Sequence, residues 1–343
     1  MKNAPLPLTP PLILLHSMKL QTAKNNVLFN GGRMIDFHRS LLAEKGRCKN
    51  YRRAIFNTVR PNDIVVDIGC GTGILAFFAC QAGAKKVYAI EVEKIVDLAK
   101  RVSQKNRFQD RIVFLNDLSY HVKLPERADV LVTETFDTFG TNGGLLNLVI
   151  DARQRFLKRS GRIIPRLIHL FVVPVELPQI YQKIDFWINN LYGLDFSQLR
   201  FYTANQIFSV NPEILQPDTF LSKPRSLARI NLSRIKTANI GGAVSFIAKR
   251  DSNLHGIAGW FSAQLSKKTS ISNAPNIMNP KWNDAFFPLE RPIPLKKGNR
   301  IHVIVESKNN GSVWRWRVSI DALGVSCDQS NFWGWPLKNG KQL

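Results

Sequence analysis

The chain has 343 residues, 44% of them hydrophobic, which is enough to hold two domains and bury a sizeable core. Its four cysteines, Cys48, Cys70, Cys80 and Cys327, show no C-x-x-C spacing and three lie in the N-terminal half, which argues for reduced thiols in a cytoplasmic compartment rather than a disulfide framework. No run of about 18 apolar residues exists, so no membrane-spanning helix is expected; the net charge of +23 favours acidic partners, although no long run of like charge concentrates it.

The first residues, MKNAPLPLTPPLILLHSMKL, are broken by proline and lack a cleavage pattern, so residues 1–33 are expected to be a disordered leader. Met34–Val59 reads as one helix, with apolar Leu41, Leu42, Tyr51, Ile55 and Val59. Ile64–Ile68 is a strand that runs into a glycine-rich turn. A helix over Ile74–Ala82 follows, closed by Gly83. Strand Val87–Ile90 ends on Glu91, a helix covers Val92–Asn106, and Ile112–Leu115 and Ala128–Thr133 are strands, the second running directly into Glu134. A helix over Leu145–Leu157 ends near Gly161. Strands alternating with helices imply a parallel sheet with ligands at the C-terminal ends of its strands, where Asp67, Glu91 and Glu134 all sit. After Pro165 the texture changes. Short strands at Leu167–Val175, Arg229–Leu232, Ala243–Ala248, Gly256–Leu265, Arg300–Glu306 and Trp314–Ile320 imply an antiparallel sheet or barrel, interrupted by a helical island at Gln179–Leu199.

The turn reads Asp67-x-Gly69-x-Gly71-x-Gly73. Glycines let the backbone turn tightly and approach a ligand, while the dinucleotide fingerprint wants a third glycine where this chain has Ile74. Backbone amides of Gly69, Cys70, Gly71, Thr72 and Gly73, with the N-terminus of the following helix, suit an anionic group. Glu91, about 20 residues on, suits the two hydroxyls of a ribose. Ser119 and Tyr120 follow the third strand, where an adenine ring would lie. Glu134 opens the loop Thr133–Gly144 and is placed to hold a basic acceptor; Asp137 either shares that task or shapes the turn. Arg47 taken alone reads as an exposed surface charge. No Ser/His/Asp nucleophile set emerges, and the six histidines show no metal-ligand spacing.

The turn resembles motif I of S-adenosylmethionine (SAM)-dependent methyltransferases, and from Met34 onward the chain resembles the protein arginine methyltransferase family. VVDIGCGTGILAFFACQAGAKKVYAIE (Val65–Glu91) is similar to that family's motif almost throughout. EKGRCKNYRRAI (Glu44–Ile55) resembles its cofactor-covering helix, with Arg47 at the carboxylate-binding position. VTETFDT (Val132–Thr138) resembles the start of its acceptor loop, most closely in the monomethylating branch. DARQRFLKRSGRIIP (Asp151–Pro165) is similar to the crossover into the barrel, FWINNLYGLDFSQLR (Phe186–Arg200) to the dimerisation arm, and PKWNDAFFPLERPIPLKKG (Pro280–Gly298) to the segment carrying the threonine-histidine-tryptophan loop.

The resemblance implies a Rossmann-like class I methyltransferase domain over 34–165 and a β-barrel acceptor domain over 166–343, with a helical arm at about 179–200. It further implies SAM as cofactor, a head-to-tail homodimer, Glu134 with Asp137 as catalytic carboxylates, and an acceptor pocket at Phe136, Gly143, Lys281 and Trp282. The chain departs from the family in three places. The second glutamate of the acceptor loop falls on Gly143, the histidine of the barrel loop falls on Lys281, and the aromatic pair of the N-terminal helix matches poorly near Phe37. One missing carboxylate halves the clamp on a guanidinium, and Lys281 brings a like charge toward a cation. The expected function is therefore methyl transfer to a nitrogen, with arginine in a protein or peptide as one acceptor. A small molecule or modified peptide, methylated on N or O, is an alternative; a SAM-binding scaffold without catalysis is another. Nucleic acid is the remaining use of the charge, opposed by the lack of an interleaved basic-aromatic strand pattern.

Overall fold

The structure, a computed structural model, describes residues 27–141, 144–275, 277 and 282–334. Gly143, Lys281 and most of the expected leader lie outside the described residues. Two compact units divide at Ala43 and Glu44. In the first, helix α1 (Val27–Ala43) begins inside the expected leader and exposes Ile35, Phe37 and Leu42. The single helix expected over Met34–Val59 is in fact two. Helix α2 (Lys45–Thr58) starts afresh because Glu44 leaves the helical conformation and caps it, both carboxylate oxygens accepting from the Arg47 N–H at 2.9 and 3.0 Å.

In the second unit, strands β1 (Ile64–Ile68), β2 (Lys86–Ile90), β3 (Ile112–Leu115), β4 (Ala128–Thr133) and β5 (Leu157–Ile164) form a parallel sheet in the order β3-β2-β1-β4-β5. Val65, Val66, Val87, Ala89 and Val130–Val132 are buried, as strands covered on both faces must be. Helices α3 (Ile74–Gln81), α4 (Ile95–Lys105) and α5 (Leu145–Arg155) lie between strands in the chain. The strand order reverses between β1 and β4, so the ends of these two strands form the crevice where such sheets bind ligands. The helix expected to run to Leu157 stops at Arg155, and the residues after it form β5. Polar Lys158–Arg162 hide that strand from a hydropathy reading, and its register with β4 slips between Ala128 and Val130. Arg162 anchors it, donating to both oxygens of Asp63 at 2.8 Å and to the Thr58 carbonyl at 2.6 Å.

The remaining chain forms two antiparallel sheets. One has the order β7-β12-β10-β6-β8, from Phe208–Val210, Asp284–Leu295, Ser252–Ser266, Leu167–Val175 and Arg225–Asn231, with β11 (Thr269–Ser272) on β10. The other has the order β15-β14-β13-β9, from Val325–Ser330, Val313–Ile320, Arg300–Lys308 and Gly241–Ile247. Strand β12 escapes a propensity reading because Pro288, Pro292 and Pro294 interrupt it; its pairing with β7 covers only Asp284–Phe286, which leaves one edge of the proline-bearing part without a ladder partner in that sheet. The helical island resolves into α6 (Pro178–Asp185), a 3-10 turn at Phe186–Ile188 and α7 (Gln198–Ala204), separated by a turn in which Tyr192 and Gly193 both take positive φ. Among the described residues no helix is long and apolar enough to cross a membrane.

One buried polar group carries a consequence for stability. Asp284, at the start of β12, is fully buried with neither carboxylate oxygen hydrogen-bonded, and burial pushes its carboxyl up to about 8. The folded state therefore keeps a proton that the unfolded chain gives up near the usual value of about 4. Stability from this group is full below about pH 4 and is lost as pH rises to about 8. Asp284→Asn should flatten that fall and gain on the order of 2 kcal/mol near pH 8. Urea unfolding across that pH range checks it, and parallel pH curves for the two proteins would refute it.

Candidate active site

The first half of the site is the turn between β1 and α3. Gly69, Gly71 and Gly73 all have positive φ, at 72, 53 and 86°, a region that side-chain-bearing residues avoid. The end of β2 laces the turn in place. The Gly69 and Cys70 amides both donate to the Ile90 carbonyl, and the Gly71 amide donates to Glu91 Oε2 at 2.8 Å. Glu91 Oε1 accepts from the Glu93 amide at 2.9 Å. Glu91 thus shapes the turn as well as offering spare lone pairs, a structural task that its spacing did not reveal. Asn116, the first residue after β3, joins the ends of β2 and β3 by donating from Nδ2 to the Glu91 carbonyl at 2.9 Å.

Asp67 is fully buried beside the turn, and neither of its oxygens makes a hydrogen bond of good geometry. Burial pushes its carboxyl up to about 8; the Ala76 amide opposes the shift, while Glu91 and Glu134 add to it. Three carboxylates therefore act on one another here, and the lining favours cationic ligands. Cys70 is buried and Thr72 half-buried in the same turn, and burial raises the Cys70 thiol far above its ordinary range. Ser119, buried, and Tyr120, 45% exposed, follow β3. Their loop is held by Arg155, which donates to the carbonyls of Ser119 and Val122 at 2.7 Å.

The second half is the loop after β4. Glu134 Oε2 accepts from Arg47 Nη1 at 2.6 Å, and the two side chains are only 10% and 5% exposed. Arg47 Nε also lies 3.8 Å from Glu44 Oε2. The arginine that reads alone as a surface charge is instead buried between two glutamates. Tyr51, on the same helix, donates its hydroxyl to the Thr133 carbonyl at 3.0 Å and so fixes α2 over the tip of β4. Gly69 and Thr135 touch: a Cβ on Gly69 would come within 2.8 Å of Thr135 Cγ2. Turn and loop are thus in direct contact.

Phe136 and Trp282, both expected in the acceptor pocket, are brought together with ring centroids 5.8 Å apart, edge to face. Phe261 from β10, which no sequence signal marked, completes the cluster at 4.7 Å from Phe136 and 5.4 Å from Trp282. Asp137 takes up the turn-shaping part of its expectation. Its Oδ1 accepts from the Phe139 amide at 3.2 Å and its carbonyl from the Gly140 amide at 3.0 Å, so it shapes the turn.

A Ser/His/Asp row, which the sequence does not announce, also exists. Ser245 Oγ lies 2.8 Å from His302 Nδ1, and His302 Nε2 lies 2.8 Å from Asp321 Oδ2. Ser245 and His302 are cross-strand partners on β9 and β13. With imidazole and carboxylate 37% and 61% exposed, water screens the row, which reads as a surface contact rather than a nucleophile set.

Comparison with known proteins agrees with this geometry. A family model described as the arginine methyltransferase oligomerization subdomain matches residues 168–321, and one described as ribosomal protein L11 methyltransferase matches residues 52–164. Protein arginine N-methyltransferase 6 of Xenopus laevis is 30% identical across 78% of this chain and 82% of its own length. That of Danio rerio is 27% identical across 82% and 84%. The structure of the Trypanosoma brucei PRMT1 enzyme-prozyme heterotetrameric complex with AdoHcy superposes with a TM-score of 0.76 at 22% identity, covering 85% of this chain and 96% of that one. At that identity the likeness speaks for the fold.

Proposed function

The chain belongs to the protein arginine N-methyltransferase family, and on that premise we propose that it transfers a methyl group from SAM to a guanidinium nitrogen of arginine in a protein or peptide. The observation that carries the reading is the contact between the glycine turn and the loop of Glu134 inside an acidic lining. The residues present fit SAM: Asp67 has two buried oxygens without hydrogen bonds, and the left-handed glycines at 69, 71 and 73 put no Cβ at those three positions of the turn.

When bound, SAM supplies an electrophilic methyl on a cationic sulfur. The chain's own residues do the rest. The turn amides of Gly69, Cys70, Gly71 and Gly73 are already spent on the Ile90 and Cys70 carbonyls and on Glu91. Arg47 would therefore hold the methionine carboxylate, Asp67 would pair with the ammonium and Glu91 would receive the ribose hydroxyls, with Cys70, Thr72, Ser119 and Tyr120 around them. Glu134 holds the guanidinium by its N–H groups and keeps a carboxylate beside the nitrogen that must lose a proton. Phe136 and Trp282, both half-buried, flank the cation's planar face, and the fully buried Phe261 packs behind them. Fixing nucleophile and electrophile in line supplies much of the rate.

The acceptor loop's likeness to the monomethylating branch, together with glycine at 143, supports addition of a single methyl. Incubation with deuterated-methyl SAM and a panel of arginine-rich peptides, read by mass spectrometry, should give one methyl per modified arginine. Absence of methylarginine across the panel would overturn the acceptor assignment.

We also propose a head-to-tail homodimer through the arm over 178–204, which exposes Phe186, Ile188, Tyr192, Leu194 and Phe201. Leu98 and Val102, one turn apart on α4, offer the different apolar patch that such a contact needs. Sedimentation of the same preparation as a monomer would contradict it.

A further inference from the structure

We propose that Asn273 is a positioning residue that holds the aromatic wall of the acceptor pocket; the inference rests on the function proposed above. Asn273 follows β11 and is fully buried. Its Oδ1 accepts from the Phe261 amide at 2.9 Å, and its Nδ2 donates to the Thr138 carbonyl at 2.9 Å and to the Asn283 carbonyl at 2.8 Å. These three bonds reach three separate segments: the centre of β10, the loop after β4, and the entry to β12. Each segment carries one ring of the cluster, Phe261, Phe136 and Trp282 respectively.

The chemistry is specific to an asparagine. The two carbonyls need donors and the amide needs an acceptor, which fixes the orientation of the side-chain amide. Aspartate keeps the acceptor and presents a carboxylate to two carbonyls. Threonine offers one donor for two acceptors. Leucine takes the partner from all three backbone groups and leaves the buried Phe261 amide without one.

The packing around it tolerates little drift. Gly140, with φ of 74°, sits so close to Phe261 that a Cβ would fall 2.6 Å from the ring, and a Cβ on Gly259 would fall 2.5 Å from Phe139. The loop of Glu134 therefore rests directly on β10. A shift at Thr138 moves Phe136, two residues away, and with it the carboxylate at 134. Displacements of about 1 Å in such a constellation cost on the order of 100-fold in rate.

The test uses the full chain with Asn273→Asp and Asn273→Thr, SAM, and a glycine- and arginine-rich peptide. Expected is a loss of about 100-fold in kcat/KM for the peptide, with the Kd for S-adenosylhomocysteine within about twofold of the parent and Asn273→Thr less impaired than Asn273→Asp. Unchanged kcat/KM would overturn the inference, as would a loss of donor-product affinity in step with activity, which marks a merely structural role. Hydrogen exchange separates this from a failure of the assigned reaction. If the parent methylates no peptide, joint loss of protection over Phe136–Gly140 and Asn283–Ala285, with Val65–Gly73 unchanged, still supports the positioning role; unaltered protection in both segments refutes it.

Discussion

Glu134→Gln is expected to slow methyl transfer to an arginine peptide about 1000-fold while leaving donor-product binding intact or tighter. Glutamine keeps the shape of the side chain but removes the charge that holds a guanidinium and the base beside its nitrogen. At position 143 the chain has glycine, so Glu134 is the clamp carboxylate that the sequence supplies in this loop. The effect on the donor runs in the opposite direction. Glu134 takes Arg47 Nη1 at 2.6 Å, and Arg47 is the cation assigned to the methionine carboxylate. Two anions sharing one guanidinium weaken each other, so neutralising one strengthens the hold on the other. Calorimetry with S-adenosylhomocysteine and steady-state rates on the same preparation separate the two effects. A rate within about tenfold of the parent would remove Glu134 from the chemistry.

The donor half of this site was legible in the sequence because its information is local. Asp67, the three glycines and Glu91 lie within one strand-turn-helix-strand unit, and the unusual φ values of the glycines follow from the tight turn. The acceptor half was legible only where a motif announced it. Phe261 sits in β10 and Asn273 just after β11, in sequence that reads as ordinary sheet and turn, and the meaning of Asn273 appears only when the chain returns across 135 residues to Thr138. Arg47 shows the same limit from the other side: an isolated arginine in a basic helix reads as surface, and its burial depends on a glutamate 87 residues away. Strands β5 and β12 were missed for local reasons, polar residues in one and prolines in the other, which pairing to neighbouring strands overrides. Asp137 keeps both of the uses that a short carboxylate in a loop has, and hydrogen bonding to the Phe139 amide shows one of them, the turn.

Arg47→Leu should weaken S-adenosylhomocysteine binding by about 100-fold, since a charge-assisted hydrogen bond contributes roughly 1.5–3 kcal/mol. It should also lower stability, because breaking a buried pair costs about 3–5 kcal/mol when one charge is left behind. That charge is Glu134, in a site that already holds the Glu91 carboxylate. The two effects separate in a double-mutant cycle. In Arg47→Leu with Glu134→Gln, stability should recover most of what the single change loses, because no carboxylate is stranded. Donor-product affinity should stay low, because the guanidinium that held its carboxylate is still missing. The gain in affinity expected for Glu134→Gln alone should vanish in the Arg47→Leu background if it works by releasing the guanidinium, and persist if it is simple relief of repulsion. 5′-Methylthioadenosine has no carboxylate, so its affinity should change by no more than a few fold on loss of Arg47. Equal weakening of both ligands would mean that Arg47 only braces α2 over β4, and the link between the donor and acceptor halves would then have to run through Tyr51 and the Thr133 carbonyl instead.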